Sequence, residues 1–464
     1  MFSCCNLKMP DETIRRRKGN DSTVQSETKG DSAEDEEMSS SGESEEDENL
    51  PPPVPPVEPP LHEVGIVEAP DWPTGISEIQ ERDYGLALPK RLFAIGPMVA
   101  LAIIFYVGTV TVYMHTMWWP LATIGSFIHF FIFLSWNYAT LNNFILAAKV
   151  GGGYVPKKWK IDPEVEIKGD ISKRLQWCRI CDGYKPPRSH HCSKCGRCVL
   201  KMDHHCLWIN NCVGHRNHAF FVRFLIAAII GCAHATIILG MSIYHAIHIG
   251  WYLRFGDGTD PIIEMTITSL LVTVAALALA LGVTVALSAL LLFQARYIRN
   301  NKTGVEEYIF DKARSRMKEE KYRGTIFVYP YEIGWRRNIA EVLANFKGKQ
   351  SGNGVWWPIR GDCTQFTFSE EQLRQKKLKR SHARFVRITK SSRGGYCGAI
   401  RAAPIACICQ PLSDQPRMEI KEGETWIVTG GNKRWLYGFK QGSDAKGWLP
   451  RSCTEFLPER PHLE

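Results

Sequence analysis

The sequence predicts a membrane all-α protein. Four transmembrane helices would carry a cytosolic zinc-bound cysteine-rich domain, and a small β-barrel would close the C-terminal part of the chain. Three observations predict this. Four long stretches lack any Asp, Glu, Lys or Arg; seven of the 15 cysteines crowd between Cys178 and Cys212; and the C-terminal region turns into short β-rich runs between glycine turns.

The four uncharged stretches are Leu92–Met114, Leu121–Ala148, Leu225–Tyr244 and Met265–Gln294. Each is long enough to cross a ~30 Å hydrocarbon core as a helix, and runs of this length without charge argue against buried helices of a soluble domain. Together they account for a mean hydropathy of only −0.18 in a chain whose first seventy or so residues are very polar. Charge asymmetry sets their orientation. The segment between the second and third stretches carries Lys149, Lys157, Lys158, Lys160, Lys173, Arg174, Arg188, Lys201 and Arg216, whereas the loop at 115–120 has no formal charge. The positive-inside rule therefore expects residues 149–218 and both termini in the cytosol. Trp118, Trp119 and Trp251 fall where an aromatic belt belongs on the opposite side.

Outside the spans, residues 1–70 form an acidic, serine-rich and then polyproline-like tail that cannot bury enough surface to fold alone. No cleavable signal peptide is read in the N-terminus, which runs into IRRRK and then acidic sequence. Residues 92–148 hold the first two spans, 149–218 the cysteine-rich domain and 219–297 the last two spans. Residues 298–375 are read as a cytosolic juxtamembrane segment, starting with a basic, partly amphipathic helix near the surface. The runs RFVRITK, EIKEGETWIV, KRWLYGF and KGWLPRSCTEFL, within 380–458, read as the strands of the barrel. The net charge of +9 suits an anionic leaflet and does not by itself indicate nucleic-acid binding. A zinc module tight against a bilayer argues against a nucleic-acid partner, and spans without intramembrane charge argue against a transporter.

The cysteine-rich segment reads WCRICDGYKPPRSHHCSKCGRCVLKMDHHCLWINNCVG, residues 177–214. In Cys178-x-x-Cys181 and in Cys192-x-x-Cys195, a two-residue gap lets both thiolates reach one tetrahedral zinc. Cys198, Cys212, His191 and His205 bring the good ligands to eight, enough for two closed, structural sites. Spacing alone leaves the partition of ligands between the two metals open. Asp203, His204 and Cys206 remain as an orienter, a base and a nucleophile within four residues. On spacing, a further zinc-ligating role for Cys206 stands equally beside the nucleophilic one.

Residues 177–221 closely resemble the cysteine-rich domain of the DHHC-type protein S-acyltransferases (palmitoyltransferases), and the placement of that domain between the second and third of four spans resembles the family layout. Further elements are similar: Thr303-Gly304-Val305-Glu306 resembles the family's Thr-Thr-x-Glu, and Pro330-Tyr331 with Gly334 and Asn338 resembles its C-terminal packing motif. The resemblance implies an acyl-CoA substrate, an acyl-Cys206 intermediate, His204 as general base and Asp203 as its orienter. It implies two structural zinc ions, one on Cys178, Cys181, His191 and Cys198 and the other on Cys192, Cys195, His205 and Cys212. It implies protein substrates with membrane-proximal cysteines and an acyl chain held between the membrane helices.

From about 92 to 458 the chain is most similar to the SH3-bearing, endoplasmic-reticulum member of the family, which implies residence in that membrane, with the Golgi as the alternative. Trp435 and Gly447-Trp448-Leu449-Pro450 resemble SH3 positions that line a proline-rich groove, with Cys453 where a groove tyrosine is common. The implied partner is an adaptor or regulator bound through an SH3-like barrel; a purely regulatory or structural barrel is the alternative. Cys4 and Cys5 in the tail, and Cys397, Cys407 and Cys409 near the barrel, are read as cysteines that could themselves be acylated.

Gly151-Gly152-Gly153 stands where many members of the family have Asp-Pro-Gly, Gly304 replaces the second Thr, and Leu207 stands where proline usually follows the cysteine; Leu207 and Gly304 bear most on activity. They support a competing reading, a catalytically impaired membrane scaffold that uses zinc and the barrel to recruit partners. Hydroxylamine-sensitive labelling by a clickable fatty acid separates the two. Loss of label in Cys206→Ser is the expected result; equal labelling with the remaining cysteines excluded would leave the scaffold.

Overall fold

The computed structural model describes residues 59–74, 76, 88–167, 170–256, 258, 262–317, 327–343, 352–395, 403–404, 409–411, 413, 415–443 and 445–457. Cys4, Cys5, Cys397, Cys407 and the polyproline run up to residue 58 lie outside the described residues. Four helices are long and apolar enough to cross a membrane: α1 (Ile95–Trp118), α2 (Ile124–Val150), α3 (His218–Ile247) and α4 (Ile267–Arg299). The shortest has 24 residues, about 36 Å at ~1.5 Å per residue. The apolar runs place all four, but the helices outrun them. α3 begins seven residues before Leu225 and takes in Arg223, and α4 continues past Gln294 to Arg299.

α3 is the central helix, packed against α1, α2 and α4. Its apolar window is 44% buried, against 17% for α2 and for α4. Val107 of α1, Phe133 of α2, Ala235 and Ile238 of α3 and Ala280 of α4 meet in one cluster, and alanines at the crossings let the backbones approach. Ile95, Ile124, Val285 and Leu292 are more than two-thirds exposed, as side chains facing lipid would be.

The cysteine-rich segment is three short antiparallel hairpins in series. They pair β1 (Gln176–Cys178) with β2 (Gly183–Lys185), β3 (His190–Cys192) with β4 (Arg197–Val199), and β5 (His204–Cys206) with β6 (Asn211–Val213). They are anchored on the end of α2. The last carbonyls of a helix have no partner inside it. Here Ala147 O accepts from Asn217 Nδ2 at 2.9 Å, and Ala148 O accepts from Asn211 Nδ2 at 2.9 Å and Arg91 at 2.8 Å. The chain then turns through Gly151 and Gly153, both at positive φ. Between them, a Cβ on Gly152 would lie 2.7 Å from Val199.

The segment after α4 is built into the same body as the hairpins. Thr303 and Glu306 form a reciprocal capping box at the start of α5 (Gly304–Met317): Thr303 Oγ1 accepts from Glu306 N, and a Glu306 carboxylate oxygen accepts from Thr303 N. The same carboxylate takes two hydrogen bonds from Arg188, both at 2.7 Å, with both side chains fully buried. The Arg188 guanidinium lies between the rings of Tyr331 and Trp357, 4.4 and 4.8 Å from their centroids. α5 is thus packed rather than lying free on a surface, because its first turn carries the partner of a buried arginine. Beyond it, α6 (Trp335–Leu343) is tied to the loop before it and to the spans through one side chain: Asn338 accepts from Ile333 N and donates to Arg299 O at the end of α4. Val355, Trp356 and Phe366 share a core cluster with Trp159, Leu200 and the ligand residues Cys178 and Cys198.

Part of the N-terminal region is ordered here too. Ile66–Val67 pairs antiparallel with Ile359–Arg360, and Trp72 packs edge-on against Trp356 with centroids 5.1 Å apart. Docking therefore begins inside the segment that composition assigns to the tail, with a tryptophan as its anchor. After α7 (Thr367–Ser381) comes an antiparallel sheet of β7 (Arg384–Ile388), β8 (Thr425–Gly431), β9 (Trp435–Lys440), β10 (Lys446–Pro450) and β11 (Thr454–Phe456), in the order β10-β9-β8-β7-β11. Its core gathers Val386, Trp426, Trp435, Leu449 and Cys453. Among the described residues the sheet is open: β10 and β11 are edge strands that do not pair with each other.

Replacing Arg188 with Ala would strand the Glu306 carboxylate without its cation and should cost about 3–5 kcal/mol. Thermal unfolding in detergent should show a large fall in midpoint, partly restored by an apolar replacement at both positions; an unchanged midpoint would remove this pair from the fold's support.

Candidate functional site

Side chains alternate between the two faces of a strand. On β5 this sends His204 and Cys206 to one face and His205 to the other, where His205 stands directly opposite Cys212 of β6. On β3, His191 stands opposite Cys198. The outcome is two groups, Cys178, Cys181, His191 and Cys198, and Cys192, Cys195, His205 and Cys212, each with its ligand atoms within 4.8 Å of one another. Each group takes the two-residue-gap cysteines of one hairpin turn and a His–Cys cross-strand pair from the next hairpin.

The donor sets fit a tetrahedral ion. In the first group His191 Nδ1 lies 3.5, 3.3 and 3.9 Å from the sulfurs of Cys178, Cys181 and Cys198. In the second, His205 Nδ1 lies 3.5, 3.4 and 3.7 Å from those of Cys192, Cys195 and Cys212. A tetrahedron with metal–S of ~2.3 Å and metal–N of ~2.0–2.1 Å has N···S edges of about 3.6 Å. In both knuckles the second cysteine's N–H also points at the first sulfur, at 3.4 Å for Cys178 and 3.3 Å for Cys192.

On the opposite face of β5, Asp203 Oδ2 lies 2.7 Å from His204 Nδ1. Asp203 is 1% exposed, so its charge needs partners. It has two more. Gln294 Nε2 of α4 donates to Oδ2 at 2.8 Å, and the N–H of Gly304 donates to Oδ1 at 2.6 Å. Gly304 is the first residue of α5, so that N–H is one of the donors a helix start leaves unpaired, at the positive end of its dipole. Burial alone would raise the Asp203 carboxyl; the hydrogen bond and charge of His204, with these donors, hold it well below the usual carboxylate range. Burial alone would lower the His204 imidazole, but Asp203, together with a hydrogen bond to the Cys206 thiol, raises it to about 10.

Cys206 belongs to the apolar cluster at the hairpin-facing ends of the four helices, with Phe144, Ile209, Phe221, Phe224 and Leu225, flanked by Leu101, Ile104, Leu287 and Leu290. A cleft of about 450 Å³ lined by Leu88, Pro89, Leu92, Phe93, Met98 and Leu101 opens on the α1 side. The start of α1 lies against the loop after the cysteine, where a Cβ on Gly96 would stand 2.1 Å from Leu207 O. The Leu207 side chain itself is exposed. A basic imidazole, a thiol partner and an oriented carboxylate at the edge of an apolar bundle can carry out proton-coupled thiol chemistry on a substrate with a long apolar part.

Sequence reasoning marks Asp203, His204, Cys206 and the eight ligand residues. It misses Gln294, counted only as the end of an uncharged run. A lone glutamine closing an otherwise apolar stretch is the one signal for Gln294 that a sequence carries.

The model of the DHHC palmitoyltransferase family matches residues 171–311. The palmitoyltransferase ZDHHC6 of Mus musculus is 36% identical over 388 residues, covering 80% of this chain and 92% of that protein. The protein of the same name from Danio rerio is 38% identical over 385 residues, covering 79% and 92%. The probable protein S-acyltransferase 13 of Arabidopsis thaliana is 32% identical over 240 residues, 48% of this chain and 68% of that protein. With the hairpins, the His204–Asp203 pair and the four spans all on one chain that matches such relatives along most of their length, this protein belongs to the DHHC palmitoyltransferase family.

Proposed function

We propose that the protein is an acyl-CoA-dependent protein S-acyltransferase acting through Cys206 at the cytosolic membrane face. One observation carries the reading: His204, bonded through Nδ1 to Asp203 at 2.7 Å, shares a strand face with the Cys206 thiol, which is packed into the apolar ends of the spans. With Asp203 bonded to Nδ1, the His204 imidazole is a stronger base than a free one, raised to about 10. His204 therefore takes the Cys206 proton, and the sulfur attacks the thioester carbonyl of a long-chain acyl-CoA. The acyl–S bond to Cys206 forms as the bond to CoA breaks, and the CoA thiolate leaves with the proton from His204. In the second half, a substrate cysteine gives its proton to His204, attacks the acyl-Cys206 carbonyl and releases Cys206. Each CH₂ of the acyl chain buried among the spans contributes ~0.8 kcal/mol to holding it there.

Cys178, Cys181, His191 and Cys198 would hold one zinc ion, and Cys192, Cys195, His205 and Cys212 a second. Four-coordinate closed sites leave no position for substrate, so the ions' contribution is to fix the hairpins. The relatives' names, palmitoyltransferase and protein S-acyltransferase, support the acyl-transfer reading. The impaired-scaffold reading loses its main support at Gly304, since the contact to Asp203 is made by the backbone N–H and needs no side chain.

The charge asymmetry of the loops favours cytosolic termini, and the resemblance favours the endoplasmic reticulum. The five-stranded sheet, with a 3₁₀ turn at Arg451–Cys453 before its last strand, is read as an SH3-like unit. Its Trp435 is buried and donates Nε1–H to Cys409 O at 3.0 Å. With that indole covered by the chain's own segment, a regulatory or structural role is favoured over capture of a proline-rich adaptor.

Single-turnover thioester formation by the wild type should be nearly flat between about pH 7 and 9, because His204 holds the proton throughout. In His204→Ala the rate should fall at neutral pH and climb with pH, as for a thiol without a base beside it; parallel profiles would remove His204 as the base. Metal analysis of His204→Ala should still give two ions per chain, while Cys195→Ser should lower the content. A content clearly below two in His204→Ala would make it a ligand. Chelation should abolish thioester formation, and full activity without metal would contradict the structural role.

A further inference from the structure

The polar chain that ends on Asp203 begins in the membrane helices. Gln294 sits near the end of α4, 3% exposed, in a run that is otherwise apolar. Burying an amide without partners is costly, and both ends of this one are paired. Its Nε2 lies 2.8 Å from Asp203 Oδ2 and its Oε1 lies 2.8 Å from His218 Nε2, in the first turn of α3. His218 is buried as well, and its Nδ1 has no hydrogen-bond partner among the described residues. A neutral imidazole carries one proton. On Nε2 that proton is donated to Gln294; on Nδ1 it would be wasted and two acceptors would face each other.

We infer that His218 and Gln294 are positioning residues that fix the direction of hydrogen bonding into Asp203 and so the tautomer of His204. The inference rests on the reading of Cys206 as the nucleophile. An amide's oxygen and nitrogen ends are nearly equal in shape. Only donation from His218 to Oε1 makes Gln294 present its N–H, rather than its oxygen, to the carboxylate. With Gln294 donating and Gly304 N–H on the other oxygen, Asp203 is an acceptor on every side. His204 must then donate to Asp203 from Nδ1, which leaves Nε2 as the nitrogen that takes the thiol's proton. α3 and α4 thereby set the protonation geometry of a hairpin lying outside the membrane. Neither residue touches the reacting atoms; both act through Asp203.

The test is single-turnover formation of acyl-Cys206 from palmitoyl-CoA by the purified full chain in detergent, with metal content measured on every variant. Gln294→Leu should slow the step about tenfold to a hundredfold, the range for loss of an orienting partner behind a first contact, with two ions per chain retained. His218→Phe should also slow it. The double variant should be no slower than Gln294→Leu alone, because His218 works only through Gln294. Gln294→Glu gives a readout that mere packing would not move. The carboxyl group it introduces can donate to Asp203 while protonated at low pH and repels it once ionised, so the rate relative to wild type should fall as pH rises. This profile decides the matter if Gln294→Leu does not fold. A Gln294→Leu rate within about twofold of wild type, an additive loss in the double variant, or a Gln294→Glu profile parallel to that of the wild type overturns the inference. If the wild type itself forms no hydroxylamine-labile adduct that Cys206→Ser abolishes, the reading of Cys206 fails; a normal wild-type adduct with an undiminished Gln294→Leu rate sinks the positioning role alone.

Discussion

One buried carboxylate ties the molecule together. Asp203 accepts hydrogen bonds from the third hairpin, from the end of α4 and from the first residue of α5. A carboxylate withdrawn from water costs several kcal/mol unless such donors are in place. The three elements therefore have to arrive at one point, and each is brought there by a different physical cause. The hairpin is hung from the open carbonyls of α2, α4 ends in the asparagine-rich loop closed by Asn338, and α5 is fixed by the Arg188–Glu306 pair. The reactive face of β5 is the point where these three arrivals agree.

The period of a strand explains how three adjacent residues serve two purposes. In His204-His205-Cys206, the outer two face the carboxylate and the bundle, and the middle one faces the second ligand group. A helix would spread the same residues through about 200° and could not separate them so cleanly. The close packing of the motif in sequence is thus a statement about backbone geometry: the His204–Cys206 pair on one face, a member of the second cysteine–histidine group on the other.

That economy also decides what could be read before any coordinates. Cysteine spacing and charge-free runs are local signals, so the two cysteine–histidine groups and the four long apolar helices were legible from the chain alone. The departures lay where a contact joins elements far apart in sequence. Gln294 and Asp203 are separated by 91 positions, Arg188 and Glu306 by 118, and Trp356 and Pro73 by 283. No periodicity marks such pairs. Glu306 was visible only through a resemblance, and its physical work, a capping box that also neutralises an arginine, needed the fold. Glycine at 304 looked like a loss because the comparison was of side chains, whereas the contact belongs to the main chain. The C-terminal strands were marked by composition, but closure of a sheet depends on how its edges meet, and here they do not.

The hairpins form a relay in which the middle one serves both neighbours. His191 and Cys198 of that hairpin belong to the first ligand group, and Cys192 and Cys195 of the same hairpin belong to the second. Ions bound there are linked through a shared strand, so releasing one loosens the scaffold of the other. Occupancy should then behave as all-or-nothing across the pair, and a cell short of the metal would hold a mixture of fully loaded and fully empty molecules with few half-loaded ones.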